Sequence, residues 1–421
     1  MNAKLPLILY GAGANAVVEM TVVVRRGLNP TCFCDADERK HGTTMFGLPV
    51  LSLAQARDRW KEANYWITAG SVFKPEIIKY LTQDNDISQE YILNYERFET
   101  KAYRGCHLLE TGLVIEEELM KVCCRQAQSP GIRWDCGGDI DSAISSFIEE
   151  RDSAISSIRD GEPSVCGNCP EITMGNYCID KKIQALSLNF DTPCQLSCTY
   201  CIRRNAVNMT DTSARIDNMI SHFDYRAFLG TLEKRGLISE NARIDVASGE
   251  ISIDPRKQEI LDVFEKYRLL VLTNAVIFDD ALAEAGGKLG NRMNISVDAG
   301  TRGAYKKIKG LDAFDRVWDN IQKYREHGVD LVLKYIFLPE NSDDENVENF
   351  INKASEVKPS IIYISANAIK TVPHTDEQIR LMAKMYRLAE NNGMTPVIIP
   401  ETMPGDDIVK IHEIRRDQCQ V

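Results

Sequence analysis

Long apolar runs are missing from this sequence. No stretch approaches the roughly 18 to 20 consecutive apolar residues that a membrane-spanning helix requires, and the N-terminus lacks a charged region followed by an apolar core. A membrane anchor and a secretion leader are therefore not expected, and the chain reads as cytoplasmic. Positive charge is also short: 50 Lys and Arg stand against 61 Asp and Glu, for a net charge of -11. With no long basic cluster, a nucleic-acid-binding face has no support, and small or neutral partners are expected. Internal repeats and low-complexity tracts are absent; "DSAIS" recurs at 141 and 152, but inside one helical pattern. What remains is an ordinary globular composition, 44% hydrophobic and 26% charged over 421 residues, enough for two or three domains. Cysteine is the exception. Thirteen of them, in a chain expected to stay in a reducing compartment, point to metal or redox chemistry rather than structural disulfides.

The opening "LPLILYGAGANAVVEM" predicts a strand over 5–10, a Gly11-Ala-Gly13 turn and a helix. This is a Rossmann-type start, in which glycines let a phosphate approach a helix N-terminus. A second strand, "TCFCDAD", ends at Asp35, where such folds place the acid that holds a ribose. "YWITAG" and "YILNYE" predict further strands, with a helix over 74–81 between them. Residues 1–100 are thus expected to form a small α/β domain. Through "GAGANA", "CDADERKHGTTMFGLPVLS" and "ITAGS" it resembles the nucleotide-fold module of bacterial surface-sugar and glycan-modifying proteins.

Residues 101–182 read as a cysteine-rich connector. It holds Cys106, Cys123, Cys124 and Cys136, then "VCGNCPEITMGNYC" with Cys166, Cys169 and Cys178. Between these groups Ile140, Ile144, Phe147, Ile148, Ile155 and Ile158 fall on one helical stripe, predicting an amphipathic helix that Gly161 ends. From 183 to 400 apolar strands alternate with helix-length segments: "ALSLNF", "RIDVAS", "LLVLTN", "RMNISV", "LVLKYIFL" and "IIYISA". Six such units predict parallel strands with helical crossovers, a partial (β/α)6 barrel. A helix over 376–391, the strand "PVIIP" and a tail over 401–421 follow.

After the first of these strands comes "FDTPCQLSCTYCIRR", with Cys194, Cys198 and Cys201 inside eight residues. Four thiolates complete a tetrahedral zinc or iron site, but a cubane cluster needs one ligand per iron, so three cysteines leave one iron open. Parallel barrels present their chemistry at the C-terminal ends of their strands, where this loop falls. A zinc knuckle with a fourth ligand from elsewhere is the other reading.

The spacing Cys194-x-x-x-Cys198-x-Tyr200-Cys201 resembles the signature of the radical S-adenosylmethionine (radical SAM) superfamily, and later strands fit in order over about 183–370. Through this resemblance, Ser248, Gly249 and Glu250 in "ASGEI" correspond to the motif that holds the methionine amino group. Asn274, Ser296 and Asp298 correspond to positions facing the ribose or methionyl carboxylate. Lys334 and Tyr335 join the same rim, and Tyr200 is expected beside the adenine. The resemblance implies a catalytic 4Fe–4S cluster, SAM and an electron donor such as flavodoxin or ferredoxin. The implied activity is reductive cleavage of SAM to a 5′-deoxyadenosyl radical that abstracts hydrogen from a substrate.

Cys166-x-x-Cys169 and Cys178 are metal-binding geometry in their own right, for a second 4Fe–4S cluster or a structural zinc. Auxiliary-cluster modules of radical SAM proteins usually follow the barrel, whereas these cysteines precede it. An upstream thiol from Cys123, Cys124, Cys136 or Cys106 could complete four ligands, and Cys124 is taken as the fourth; Cys32, Cys34 and Cys419 are read as buried or structural thiols. The substrate is expected to be a sugar, nucleotide sugar or glycan-linked metabolite undergoing dehydrogenation, epimerisation or dehydration. A peptide or amino acid substrate is the alternative, and a non-catalytic zinc-stabilised binding protein is the reading from another class.

Overall fold

The computed structural model describes residues 5–13, 15–70, 73–98, 101–116, 118–123, 129–134, 138–166, 169, 171–175, 177, 179–190, 194–201, 223–246, 249–367, 374–399 and 402–417. The chain divides into two compact units, 1–111 with 151–183, and 112–150 with 184–421. Residues 101–182 are therefore shared between the two.

In the first unit, β1 (Leu7–Tyr10), β2 (Pro30–Cys34), β4 (Leu48–Leu51) and β5 (Asn64–Ile67) are parallel, and β3 (Thr44–Met45) closes the edge antiparallel to β4. The order is β3-β4-β2-β1-β5. Alternate residues serve two cores, with Ile8, Tyr10, Cys32, Cys34 and Ile67 in one and Leu7, Leu9, Phe33 and Trp66 in the other. That is how a parallel sheet covered on both faces must read. The strand predicted from "YILNYE" does not form; a short helical turn, Gln89–Tyr91, leads to one parallel bridge between Ile92 and Tyr65. The reason lies in Asn94, whose side-chain amide accepts from Ile67 N–H (2.9 Å) and donates to Ile67 C=O (2.8 Å), occupying the edge that another strand would need. A two-stranded antiparallel ribbon, β6 (Tyr103–Gly105) with β10 (Thr173–Gly175), completes this unit's sheets.

The second unit holds a ten-stranded open sheet. Its members are β7 (Gly112–Ile115), β8 (Leu119–Lys121), β9 (Gly131–Arg133), β11 (Ile183–Leu188), β12 (Ile238–Val246), β13 (Arg268–Thr273), β14 (Arg292–Ser296), β15 (Leu331–Phe337), β16 (Ile361–Ala366) and β17 (Thr395–Ile398). The order is β17-β16-β15-β14-β13-β12-β11-β7-β8-β9. The predicted six-strand partial barrel is present as β11–β16. It is extended on one side by β17 and on the other by β7, parallel to β11, with β8 and β9 antiparallel beyond it. Helices between the strands start on side-chain caps that the sequence supplies: Asp224, Asp279, Thr301, Asp343 and Thr375 each accept from a backbone N–H of the first turn. The amphipathic helix runs Ile140–Arg159 and buries Ile144, Phe147, Ile155 and Ile158 as its stripe demands. Among the described residues no helix is long and apolar enough to cross a membrane.

The two faces of the large sheet differ. Leu269, Val271, Met293, Ile295, Leu333, Ile362 and Ile364 are buried on one face. The alternate residues are more open and mostly polar: Ser187, Asp245, Asn294, Ser296, Lys334 and Tyr363, with Ser296 paired in register to Lys334 and Lys334 to Tyr363. A parallel strand sandwiched between helices should be apolar on both faces. A half-open polar face at the strands' C-terminal half marks a cavity side rather than a core.

Candidate active site

The three clustered cysteines sit in the loop that follows β11, pinned at its backbone to the end of the helix Arg302–Lys309. Ser197 N–H donates to Lys309 C=O and Thr199 N–H to Ile308 C=O, both at 2.9 Å, and Cys201 N–H closes a turn on Cys198 C=O at 3.2 Å. Gly310 caps that helix with φ +73°, and a Cβ there would lie 1.8 Å from Ser197 Oγ. Left-handed backbone and close approach thus both demand glycine at 310. Cys194 is exposed, while Cys198 and Cys201 are half-buried.

Beneath the loop lies a buried charge network. Lys309 and Asp298, 1% and 0% exposed, form an ion pair, and Tyr200 O–H donates to the same carboxylate oxygen of Asp298. Lys309 Nζ also donates to Tyr200 Oη (2.7 Å) and to Ser296 C=O (2.8 Å). The second Asp298 oxygen accepts from Ile336 N–H at 2.8 Å, and its backbone C=O, at φ +59°, accepts from Asn341 Nδ2 at 2.7 Å. With its charge paired to Lys309 and both oxygens bonded within the protein, Asp298 holds the cysteine loop from below. Burial first, and then the Asp298 charge, push the Tyr200 hydroxyl well above its usual pKa, so it stays a neutral donor. Tyr200 packs its ring on Ile308, Ile336 and Leu338. Burial also raises the Cys198 thiol, with Lys309 opposing the shift and Asp298 and Cys201 adding to it.

A second chain of contacts joins the cysteine loop to the ends of β12 and β13. Asn274 Nδ2 reaches Cys194 Sγ at 3.7 Å, Gln195 Nε2 donates to Asn274 Oδ1 at 3.1 Å, and Asn274 N–H donates to Glu250 Oε2 at 2.6 Å. Glu250, 1% exposed, accepts on Oε1 from Thr273 Oγ1 (2.6 Å) and from Ser252 N–H (3.1 Å), which also makes it the cap of the short turn Ile251–Ile253. An ionised carboxylate offers about four acceptor positions. Among the described residues three are used, two on Oε1 and one on Oε2. Gly249, at φ +56°, turns the chain into this position, and Ser248 lies outside the described residues. Ser296 and Lys334 lie side by side on the polar face. Burial lowers the Lys334 pKa, against the pull of Asp298. Tyr335 does not share that rim: it is fully buried on the opposite face, its hydroxyl donating to Asn341 C=O. A one-residue step along a strand reverses the side chain, so Lys334 and Tyr335 could not both face the same cavity.

Sequence reasoning did not find Lys309, Thr273, Gln195 or Asn341. Lys309 carried a signal: of the three lysines near that helix end, it alone is buried, with Tyr305 and Ile308 on the helix's inward side.

In the other cysteine group Cys166 is buried and Cys169 half-buried. Cys169 N–H donates to Cys166 C=O at 2.9 Å, and Ser164 Oγ accepts from Cys166 N–H at 3.2 Å. Cys178 and Cys124 lie outside the described residues. Among the described residues no three Cys, His, Asp or Glu side chains close on a single point as one metal ion requires. A cluster ligated one cysteine per iron asks for a wider donor set, and three thiols of one loop, one of them exposed beside a carboxylate, fit such a group. In the first unit, Asp35 accepts from Ala12 N–H (2.6 Å), Asp37 N–H (2.8 Å) and Lys40 Nζ (2.8 Å), so the carboxylate expected at a ribose also holds the glycine turn.

Residues 189–354 match the radical SAM superfamily domain. Similar curated proteins include the GTP 3′,8-cyclase of Clostridium perfringens, 24% identical over 178 residues covering 42% of this chain and 53% of that protein. The GTP 3′,8-cyclase of Desulforamulus reducens is 22% identical over 196 residues, 45% of this chain and 56% of that protein. The chain spans about half the length of the curated relatives it matches. Among solved structures, Streptococcus suis SuiB bound to S-adenosylmethionine aligns with a TM-score of 0.40 and 10% identity, over 74% of this chain and 72% of that one.

Proposed function

We propose that this chain, whose residues 189–354 match the radical SAM superfamily domain, is an iron–sulfur enzyme that cleaves SAM reductively and directs hydrogen abstraction at a small polar metabolite of the sugar or nucleotide-sugar class. When bound, a 4Fe–4S cluster and SAM supply one-electron cleavage of the C5′–S bond and a 5′-deoxyadenosyl radical able to take hydrogen from an unactivated carbon. Cys194, Cys198 and Cys201 would each hold one iron, leaving the fourth for SAM. Glu250, with Ser248 and Gly249 beside it, accepts the methionine ammonium. Asn274 orients Cys194 and Glu250 together, Ser296 and Lys334 offer a hydroxyl and a cation to polar groups of cofactor or substrate, and Tyr200 supports the loop from below. Cys166, Cys169 and Cys178 hold a second 4Fe–4S centre. An external reductant of the flavodoxin or ferredoxin type supplies the electron, and the enzyme works in the cytoplasm.

The observation that carries this reading is the continuous contact from Cys194 through Asn274 to Glu250, which brings an exposed thiol and an ammonium acceptor to one place. The polar sheet face supports a hydroxyl-rich substrate, because buried polar groups need polar partners: Asn294 Oδ1 is enclosed without one among the described residues. The names of the curated relatives make GTP, itself a ribose derivative, their substrate. The test is anaerobic incubation of the reconstituted, reduced enzyme with SAM and a panel of sugars and nucleotide sugars. Substrate-stimulated release of 5′-deoxyadenosine with one panel member supports the reading. Stimulation by peptides alone overturns the substrate class, and no SAM cleavage under any condition overturns the activity.

A further inference from the structure

We infer that Cys106, and not Cys124, is the remaining ligand of the second metal centre. The inference rests on the reading of Cys166, Cys169 and Cys178 as a metal site and assigns the thiol that completes it. Cys106 is far away in sequence, 60 residues before Cys166, and nothing in its spacing marks it. The fold removes that distance. β6 and β10 pair antiparallel with Gly105 opposite Thr173, so Cys106, one residue past β6, comes level with Ile172, one residue before β10. Residues opposed in an antiparallel pair lie about 4.5 to 5.5 Å apart at Cα.

Ile172 is in turn held to Cys169 by a turn in which Ile172 N–H donates to Cys169 C=O at 3.1 Å. Cys169 is held to Cys166 by the same kind of turn at 2.9 Å. Each such turn brings its end Cα atoms within about 7 Å. Two consecutive turns and one ladder step therefore carry the chain from Cys106 to both members of the C-x-x-C pair. Tyr177, the residue before Cys178, supplies an independent anchor. Its hydroxyl donates to Gly105 C=O at 2.7 Å, and its ring covers Gly105 so closely that a Cβ there would lie 2.7 Å from Cε2. The chain neighbours of Cys106 and Cys178 are thus packed on one another. Cys106 is itself buried, at 8% exposure, as is Cys166 at 7%. The segments that contain Cys106, Cys166 and Cys169 all belong to the first compact unit.

The test uses the full chain with Cys194, Cys198 and Cys201 all replaced by Ala, so that any metal left belongs to the second centre. In that background about four irons with matching sulfide are expected. Adding Cys106→Ala should bring both close to zero, and adding Cys124→Ala should leave them unchanged. Loss on Cys124→Ala with retention on Cys106→Ala overturns the inference. One zinc in the background, lost on Cys106→Ala, upholds the ligand assignment while overturning the second cluster. No metal at all overturns both. Should Cys106→Ala fail to fold, thiol alkylation of the otherwise wild-type protein decides. Cys106 should be shielded together with Cys166 and Cys169 in the metal-loaded protein and labelled with them after chelation. Labelling of Cys106 while those two stay shielded overturns the inference.

Discussion

Two C-x-x-C turns, Cys198–Cys201 and Cys166–Cys169, are closed by the same backbone hydrogen bond, 3.2 Å in one and 2.9 Å in the other. Their surroundings differ in every respect that matters for chemistry. The first lies at the C-terminal ends of parallel strands, under an exposed third cysteine, beside a carboxylate and above a buried Lys309–Asp298–Tyr200 network. The second lies at a two-stranded antiparallel ribbon covered by an aromatic ring, with its described thiols buried or half-buried. The same local turn is therefore an open site in one place and a closed one in the other. Open positions serve catalysis and closed ligand sets serve structure or electron storage, so a C-x-x-C spacing by itself leaves its use to the surroundings.

The strongest way to break the comparison is to remove one centre and watch the other. Cys198→Ala should abolish SAM cleavage and lose about four irons, while a Cys166, Cys169 and Cys178 triple Ala variant should lose a similar amount yet keep the catalytic cluster. Iron and sulfide assays with 5′-deoxyadenosine detection decide it, and full SAM cleavage by Cys198→Ala would refute the assignment.

Next in size is the network found only under the catalytic loop. Lys309→Met leaves Asp298 charged, buried and without its cation, which typically costs about 3 to 5 kcal/mol. Chemical denaturation should show that loss. Adding Asp298→Asn should recover most of it, because replacing both partners removes the stranded charge, and the amide introduced there keeps an oxygen for Ile336 N–H. Equal stability of the single and double variants would remove the network from the account of how the loop is held.

The smallest effect sharpens the role of Glu250. An amide at 250 must turn its NH2 toward either Asn274 N–H or Ser252 N–H, both donors, so Glu250→Gln should cost about 1 to 3 kcal/mol of stability. If Glu250 also takes the methionine ammonium, SAM affinity should fall about ten- to a hundredfold, as loss of a charge-assisted bond implies. Calorimetric titration of the reconstituted variant separates the two. A stability loss with unchanged affinity would leave Glu250 as a cap alone.

The strands β11–β16, the helices between them and the helix Ile140–Arg159 were legible because apolar periodicity and side-chain caps act over a few residues. The three-strand extension β7–β9 was not, since its members are only 3 or 4 residues long and lie among charged residues and cysteines. The missing strand at "YILNYE" failed for a related reason. One Asn side chain, Asn94, replaced the backbone partner that β-propensity presupposes. At the site, motif order led to Glu250 and Asn274, which the structure joins to Cys194, whereas Lys309, the buried partner of Asp298, belonged to no motif. An acid at a strand end carries the same letters whether its oxygens face a cavity or a buried lysine.

By itself, then, the sequence determined the chemistry available: three thiols spaced for a cluster with an open iron, a strand-end carboxylate and a second thiol pair. Only the tertiary structure decided which groups are free to use it. Lys309 paired the charge of Asp298, the strand's alternation turned Tyr335 into the core, Lys40 and the glycine turn engaged Asp35, and the β6–β10 ladder set Gly105, the neighbour of Cys106, opposite Thr173. The physical reason is common to all four. A residue's type sets what it can bond, but long-range packing sets which partner reaches it first.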